Sequence, residues 1–242
     1  MTEYTERGYR KRVRSEDLIS YNVKVKETDL WISSERDLEK EARDLVFDIR
    51  NKLEKYIHSH PEFLTALEPY PEDLFAPEMI REMISLTGNI GVGPMASVAG
   101  AIAQYVGNGL LGMTEQVIIE NGGDIFLKAN RPITVAIFAG GSPLSERIGI
   151  IAPTRLMPLG ICSSSASVGH SLSMGAADVV SVISSSAILA DGAATALGNR
   201  LKSSKDLDRI TEITSDINGI IGGIAIIGDK MAAWGDAELV EL

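Results

Sequence analysis

The sequence contains a single cysteine among 242 residues, Cys162, so it cannot form an internal disulfide bond. A chain without disulfides is typical of a reducing compartment. The basic residues near the N-terminus are not followed by an apolar segment, which argues against a secretion signal. No run reaches the roughly 18 consecutive apolar residues of a membrane-spanning helix. These absences predict a cytoplasmic protein with no membrane partner.

A surplus of basic residues is also lacking, which argues against nucleic acid as a partner. Lysine and arginine number 23 against 33 acidic residues, and the formal net charge is -10. Binding to a phosphate backbone requires a basic surface. The one dense basic run lies between Arg10 and Arg14, and acidic residues on both sides balance it. We therefore expect residues 1–20 to form a flexible N-terminal arm ahead of a single domain at residues 21–242.

Hydrophobic periodicity predicts an α/β domain with mixed sheets and covering helices. Alternation at residues 21–25, followed by an apolar segment at 30–32, predicts a hairpin. Ser34 is the predicted cap of a long helix with an apolar stripe from Leu38 to Tyr56. The other predicted strands lie at residues 117–119, 125–127, 133–138, 148–151, 179–183 and 220–227. The other predicted helices lie at residues 77–88 and 95–106, a further helix ends near residue 198, and the last begins at residue 206. There is no internal repeat.

Asp191 is the only charged residue between Asp178 and Arg200, and alanine and leucine surround it. Burying a carboxylate is costly unless a cation or hydrogen-bond donors compensate for it. Thr195 follows four residues later, so both oxygens lie on one face of a helix. This pair is a partial ligand shell for Mg²⁺, which also takes water and phosphate oxygens. The alternative is that both side chains bond only to nearby backbone groups.

Two glycine-rich segments are candidates for phosphate binding. Gly91-Val92-Gly93-Pro94 precedes a predicted helix, and backbone amides at such a position can hold an anion. Gly93 and Ala96 are the candidate contacts there. The second segment is Asn121, Gly122, Gly123 and Asp124, between two apolar strands. A tight type I′ turn explains the second segment without any function.

The segment from Gly160 to His170 is rich in serine and contains Cys162. A thiol with a nearby imidazole can act as a nucleophile, so Cys162 and His170 are the candidate catalytic residues. The alternative is that Cys162 is a small core residue.

In order along the chain, these segments resemble the ApbE family, flavin transferases that attach FMN to a threonine or serine of a target protein. Glu120 to Ile125 is similar to the family's Asn-Leu-Gly-Gly-Asp-Ile turn. Ala190 to Leu197 is similar to its Ala-Asp-Ala-Leu-Ser-Thr-Ala-Leu segment. The resemblance spans roughly residues 88–198. It implies an ApbE-like fold, a phosphate-bearing small-molecule ligand such as FAD or another nucleotide, and Mg²⁺ bound by Asp191 and Thr195.

The sequence also departs from the family's pattern. Gly91 and Ser97 stand where the family has an aspartate and a lysine, and the family's His-x-x-Asp-Pro-x-Thr-Gly segment has no counterpart. In this the chain resembles an uncharacterised ApbE-like branch from anaerobic archaea and bacteria, often placed among sulfur-assimilation genes. Three hypotheses follow: a Mg²⁺-dependent nucleotide-binding transferase, a sulfide- or persulfide-handling protein that uses Cys162, and a ligand-binding relative without catalysis. Assembly into a homo-oligomer is left open.

Overall fold

The computed structural model describes residues 18–165 and 175–242 and shows two β-sheets with six α-helices in these ranges. The strands are β1 Ile19–Val25, β2 Thr28–Ser34, β3 Val117–Asn121, β4 Asp124–Lys128, β5 Ile133–Ala136, β6 Ile148–Ala152, β7 Leu159–Ser164, β8 Val179–Ser184, β9 Ile220–Ile227, β10 Lys230–Gly235 and β11 Glu238–Glu241. The helices are α1 Glu39–Ser59, α2 Pro61–Thr65, α3 Glu78–Gly88, α4 Val98–Leu110, α5 Ala187–Arg200 and α6 Ile210–Thr214.

The larger sheet has eight strands in the order β1-β2-β3-β4-β7-β8-β9-β10, and the smaller has three in the order β11-β6-β5. The predicted α/β fold with covering helices is confirmed. The described strand pairs are all antiparallel, whereas we expected mixed sheets. Residues 1–17 of the expected N-terminal arm lie outside the described residues, and β1 begins at Ile19, inside the expected arm.

The larger sheet buries both of its faces, because its strands alternate two sets of apolar side chains. One face packs against the helices through residues such as Ile32, Ile119 and Phe126. The opposite face packs against the smaller sheet through residues such as Ile125 and Leu127. The large sheet is therefore the middle layer, between the helices and the smaller sheet.

The first helix begins later than the sequence predicts. α1 starts at Glu39, and the predicted cap, Ser34, is the last residue of β2. The hydroxyl of Ser34 donates to the Arg36 carbonyl at 2.7 Å, so it is used before the helix starts. The predicted apolar stripe of α1 is nevertheless buried at Leu38, Ala42, Ile49, Leu53 and Tyr56, whereas Leu45 is only partly buried.

Helices α4 and α5 are joined by two hydrogen bonds, in each of which a side chain of one helix accepts from a first-turn amide of the other. The carboxylate of Asp191 accepts from the Gly100 amide at 2.9 Å. In return, Gln104 of α4 accepts from the Ala187 amide at the start of α5, at 2.7 Å. Each helix thus satisfies an amide that the other would leave without an intrahelical partner. In the described part of the chain, no helix combines the length and apolar character needed to cross a membrane.

Candidate functional site

A cavity of about 1470 Å³ surrounds the β3–β4 hairpin tip. On the helix side of the large sheet it is lined by Arg50, Leu53, Ile57, Leu64, Leu67 and Ile102, which we call the helix-side chamber. On the other side it is lined by Trp31, Glu120, Thr134, Val135 and Phe138, which we call the intersheet chamber. The hairpin tip, Asp191 and Thr195 also line the cavity. The cavity exceeds the ~300–1,000 Å³ of a site for a drug-sized molecule, so it has room for a dinucleotide.

The hairpin tip has the predicted tight-turn geometry. Gly122 and Gly123 have φ angles of 70° and 110°, which a type I′ turn needs at both central positions. The flanking side chains make contacts beyond the turn. Asn121 donates to the Ala99 carbonyl at 3.0 Å, and Asp124 accepts from the Ser163 amide at 3.2 Å. The turn therefore explains the glycines, and the tip is fixed against α4 and β7.

The carboxylates of Asp124 and Asp191 are both buried at the cavity wall. Burial, and then the charge of Asp191, raises the pKa of Asp124 well above its usual range. Burial raises the pKa of Asp191 to about 7, although the amides of Gly100 and Ala99 oppose this shift. Two close carboxylates without an intervening cation disfavour each other's charge.

These carboxylates fit a hard divalent cation, which prefers charged oxygen ligands. Thr195 lines the same cavity one helical turn after Asp191, so its hydroxyl adds a neutral oxygen to the set. Within residues 18–165 and 175–242 no group of three or more acidic, histidine or cysteine side chains forms a complete metal shell. A cation here would take further oxygens from water or from a ligand, as Mg²⁺ commonly does. Asp191 also bonds to a backbone amide, as the alternative prediction has it, because one of its oxygens accepts a hydrogen bond from the Gly100 amide.

The glycine loop before α4 borders the cavity, but its amides are engaged. Gly93 donates to the Leu67 carbonyl at 3.0 Å, and Ala96 donates to the Gly93 carbonyl at 3.1 Å. A Cβ atom at Gly93 would lie 1.8 Å from the Ala66 carbonyl oxygen, so this glycine is required for close packing of the 66–67 segment. Gly93 and Ala96 therefore form a wall of the cavity, and neither has a free amide for a phosphate.

Comparison with known proteins identifies the family. A family model described as AbpE bacteria matches residues 10–219. The chain belongs to this family. Two relatives, both named UPF0280 protein, are each 38% identical to it. The one from Methanocella arvoryzae covers 87% of this chain and 86% of its own, and the one from Methanosphaerula palustris covers 90% and 91%.

Solved structures of flavin transferases share the fold of this AbpE family member. The apo flavinyl transferase ApbE of Pseudomonas stutzeri superimposes with a TM-score of 0.61 at 16% identity, covering 90% of this chain and 94% of its own. The flavin transferase ApbE of Vibrio cholerae gives 0.60 at 15% identity, covering 91% and 97%. The predicted ApbE-like fold and the relationship to the family are confirmed.

The two candidate catalytic residues of the AbpE family member do not form a described pair. His170 lies outside the described residues. Cys162 is fully buried in β7, and its thiol donates to the Ala187 carbonyl at 3.4 Å. Burial, followed by the charges of Asp124 and Asp191, raises the pKa of this thiol well above its ordinary value. The thiolate needed for sulfur chemistry is therefore disfavoured, and the burial of Cys162 favours the alternative that it is a small core residue.

We predict that Cys162 reacts with iodoacetamide only when the protein unfolds. The buried thiol is both inaccessible and protonated near neutral pH, so its alkylation should be limited by opening of the fold and should be far slower than in the unfolded chain. Mass spectrometry after timed alkylation, with and without urea, measures this rate. Rapid labelling of the folded protein would contradict the buried-thiol interpretation.

The raised pKa of Asp191 predicts an unusual pH dependence for the metal-free protein. Its carboxyl titrates at about 7 when folded, against 3.8 for the unperturbed group. Between these values the folded protein holds a proton that the unfolded chain has released, so the free energy of unfolding falls as pH rises. Asp191 should contribute a decline of about 1 kcal/mol per pH unit from pH 5 to 7, and Asp124, whose pKa is also raised, adds to it.

Urea unfolding in EDTA at several pH values tests this dependence. The decline should be shallower in Asp191→Asn, which lacks the Asp191 carboxyl and keeps that of Asp124. Carboxylates with lowered pKa values, such as Glu35 at about 2, finish titrating below this window and do not mask the effect. An identical slope in both proteins would show that Asp191 is not responsible.

Several cavity residues were missed from the sequence. Arg50 and Trp31 both line the cavity, and neither stands out by spacing or motif. The one available signal for Arg50 is its position directly after Ile49, at the edge of an apolar helical stripe.

Proposed function

We propose that the protein binds a flavin nucleotide, such as FAD, together with Mg²⁺, in the cavity around the hairpin tip. The observation that carries the proposal is the pair of buried carboxylates, Asp124 and Asp191, beside a cavity of dinucleotide size. When both are ionised, their negative charge repels a nucleotide phosphate unless a cation lies between the carboxylates and the phosphate. A bound Mg²⁺ would neutralise the phosphate oxygens and polarise the bond to phosphorus.

The residues of this chain hold the cation and orient the ligand in this proposal. Asp191 and Thr195 supply oxygens from one face of α5, and Asp124 supplies charge from the hairpin. The Gly100 amide fixes one carboxylate oxygen of Asp191, which limits the rotation of this side chain. Gly93 and Ala96 shape the wall without donating hydrogen bonds from their amides.

Transfer of a flavin group is the reaction that the solved relatives' names suggest, and we propose it as the first activity to test. A hydroxyl of an acceptor would attack the FMN phosphorus of FAD and release its proton to water. The pyrophosphate bond would break, and AMP would leave with the electron pair. Binding without transfer is the second candidate. It is favoured by Gly91 and Ser97, which replace an aspartate and a lysine of the ApbE pattern.

Titration of FAD into the purified protein, in Mg²⁺ and then in EDTA, tests the binding. We expect flavin fluorescence to change on binding in Mg²⁺ and to recover in EDTA. Absence of FAD binding in Mg²⁺ would overturn the proposal. Incubation with FAD, Mg²⁺ and a threonine-containing acceptor peptide, followed by chromatography for AMP, separates the two candidates. AMP with a flavin-labelled peptide supports transfer, and binding without AMP supports the second candidate.

A further inference from the structure

The connection between α1 and α3 exposes a cluster of large apolar side chains. Among the described residues of this connection, four such side chains are at least half exposed: Leu64 at 50%, Leu67 at 65%, Leu74 at 75% and Phe75 at 98%. We call these four side chains the apolar rim. Leu64 and Leu67 also line the helix-side chamber, so the apolar rim begins at the mouth of the cavity. Single exposed apolar residues are common, whereas a cluster of them marks an interaction surface.

The backbone that carries the apolar rim is fixed from below by aromatic side chains. Phe63 is fully buried, and its ring packs edge-on against Tyr56 and Tyr70, with centroid distances of 5.1 and 5.4 Å. Tyr56 donates to the Asp73 carboxylate at 3.0 Å, and the same carboxylate accepts from the Phe75 amide at 2.9 Å. Because the rim is held in place before a partner arrives, binding there costs less conformational entropy.

The charge along this connection is all of one sign. Between Pro61 and Ile80 there is no lysine, arginine or histidine. The acidic residues in this range are Glu62, Glu68, Glu72, Asp73 and Glu78, and the four glutamates are exposed. An apolar surface surrounded by negative charge attracts a partner that carries basic residues beside its apolar ones.

The same charge argues against two other occupants of the apolar rim. A second copy of this chain, related by two-fold symmetry, would bring the glutamates against their own equivalents, and like charges oppose such a contact. Anionic lipid headgroups would be repelled in the same way. A polypeptide with lysine or arginine next to leucine or an aromatic residue meets no such repulsion.

We propose that the apolar rim and its surrounding glutamates dock the acceptor polypeptide, and that they select segments in which basic residues flank apolar ones. Phe75, whose side chain is almost wholly exposed, is the anchor of this contact. A segment that contacts Leu64 and Leu67 lies at the mouth of the cavity. The role of acceptor rests on the proposed function, whereas the docking surface itself does not.

An array of short synthetic peptides tests the selection. Each peptide has a central threonine, and its flanking residues are basic and apolar, acidic and apolar, or polar and uncharged. We expect wild-type protein to bind the basic and apolar set, and added salt to weaken this binding because it screens the charges. Preference for either of the other sets, or binding to none of them, overturns the inference.

The tightest peptide of the array, labelled with fluorescein, is then titrated with variants and followed by fluorescence anisotropy. We expect Phe75→Ser to lower the affinity about thirtyfold, the loss typical of an aromatic anchor. Phe47→Ser is the matched control, because Phe47 is an exposed phenylalanine of α1 outside both the cavity lining and the apolar rim. It should bind the peptide as wild type does. Unchanged affinity in Phe75→Ser overturns the inference, and thermal unfolding verifies that the variant is folded.

Titration of FAD into the same proteins separates this inference from the proposed function. Phe75 lies outside the cavity lining, so Phe75→Ser should bind FAD as wild type does. Wild-type protein that binds FAD but none of the peptides overturns the inference alone. Peptide binding without FAD binding overturns the proposed function and retains the docking surface.

Two further measurements cover the other occupants. Sedimentation equilibrium detects a dimer, and flotation with phosphatidylglycerol vesicles detects lipid binding. We expect neither to depend on Phe75. A dimer or a vesicle complex that forms with wild-type protein and is lost in Phe75→Ser would assign the apolar rim to that occupant and overturn the inference.

Discussion

Replacing Asp191 by asparagine should weaken Mg²⁺-dependent binding of FAD by at least about a hundredfold while the fold stays intact. Replacing a residue that only supports a metal ligand lowers metal affinity roughly ten- to a hundredfold. Replacing a direct ligand should lower it by at least as much. The amide oxygen of asparagine can still accept from Gly100, so the α4 contact survives. Removing one of two close, buried carboxylates should also raise the thermal stability of the metal-free protein.

Calorimetric titration of FAD in Mg²⁺ and thermal unfolding in EDTA measure the two effects. Asp208→Asn is the matched control, because Asp208 is exposed and lies outside the cavity lining. A more stable Asp191→Asn protein with unchanged FAD affinity would show that Asp191 serves only as the acceptor for the α4 amides. The proposed cation site would then be wrong.

Replacing Gly100 by alanine should lower the free energy of unfolding by about 3 kcal/mol, the upper end of ordinary overpacking costs. A Cβ atom there would lie 2.3 Å from the Ala187 carbonyl oxygen and 2.9 Å from the Cβ of Asp191. Helices α4 and α5 must therefore separate, which lengthens the hydrogen bond from the Gly100 amide to Asp191. Urea unfolding at pH 7 measures the loss.

Gly88→Ala is the control for this substitution. Gly88 is the last residue of α3, and a Cβ atom there meets nothing within 4 Å. Alanine favours helix over glycine, so this variant should be equal to wild type or slightly more stable. Equal stability of Gly100→Ala and wild type would mean that the close helix contact is not required.

Local patterns predicted the elements whose partners are near in sequence. The β1–β2 hairpin, the apolar stripe of α1 and the β3–β4 turn follow from alternation, helical spacing or glycine chemistry. The charge of Asp191 in an apolar segment correctly indicated a buried carboxylate. Burial of an isolated charge is visible in the sequence because its neighbours along the helix are apolar.

Contacts between distant segments were not predictable in the same way. The amide of Gly93 donates a hydrogen bond to Leu67, and the amide of Gly100 donates one to Asp191. Both bonds join residues that come together only when whole helices pack. Strand β7 was not predicted, because serines make its second half look like a polar loop although it lies inside the large sheet. The helix predicted from Asp206 is a 3₁₀ turn at Ser204–Arg209 followed by the short α6.

The glycine tip between β3 and β4 gives the cavity a stretch of wall that is formed by main chain alone. Gly122 and Gly123 line the cavity and have φ angles of 70° and 110°, which residues with a side chain rarely adopt. A Cβ atom at either position would meet nothing within 4 Å, so space alone would permit a larger residue. Backbone conformation, rather than crowding, therefore keeps this part of the wall free of side chains, and the turn itself preserves the open space there.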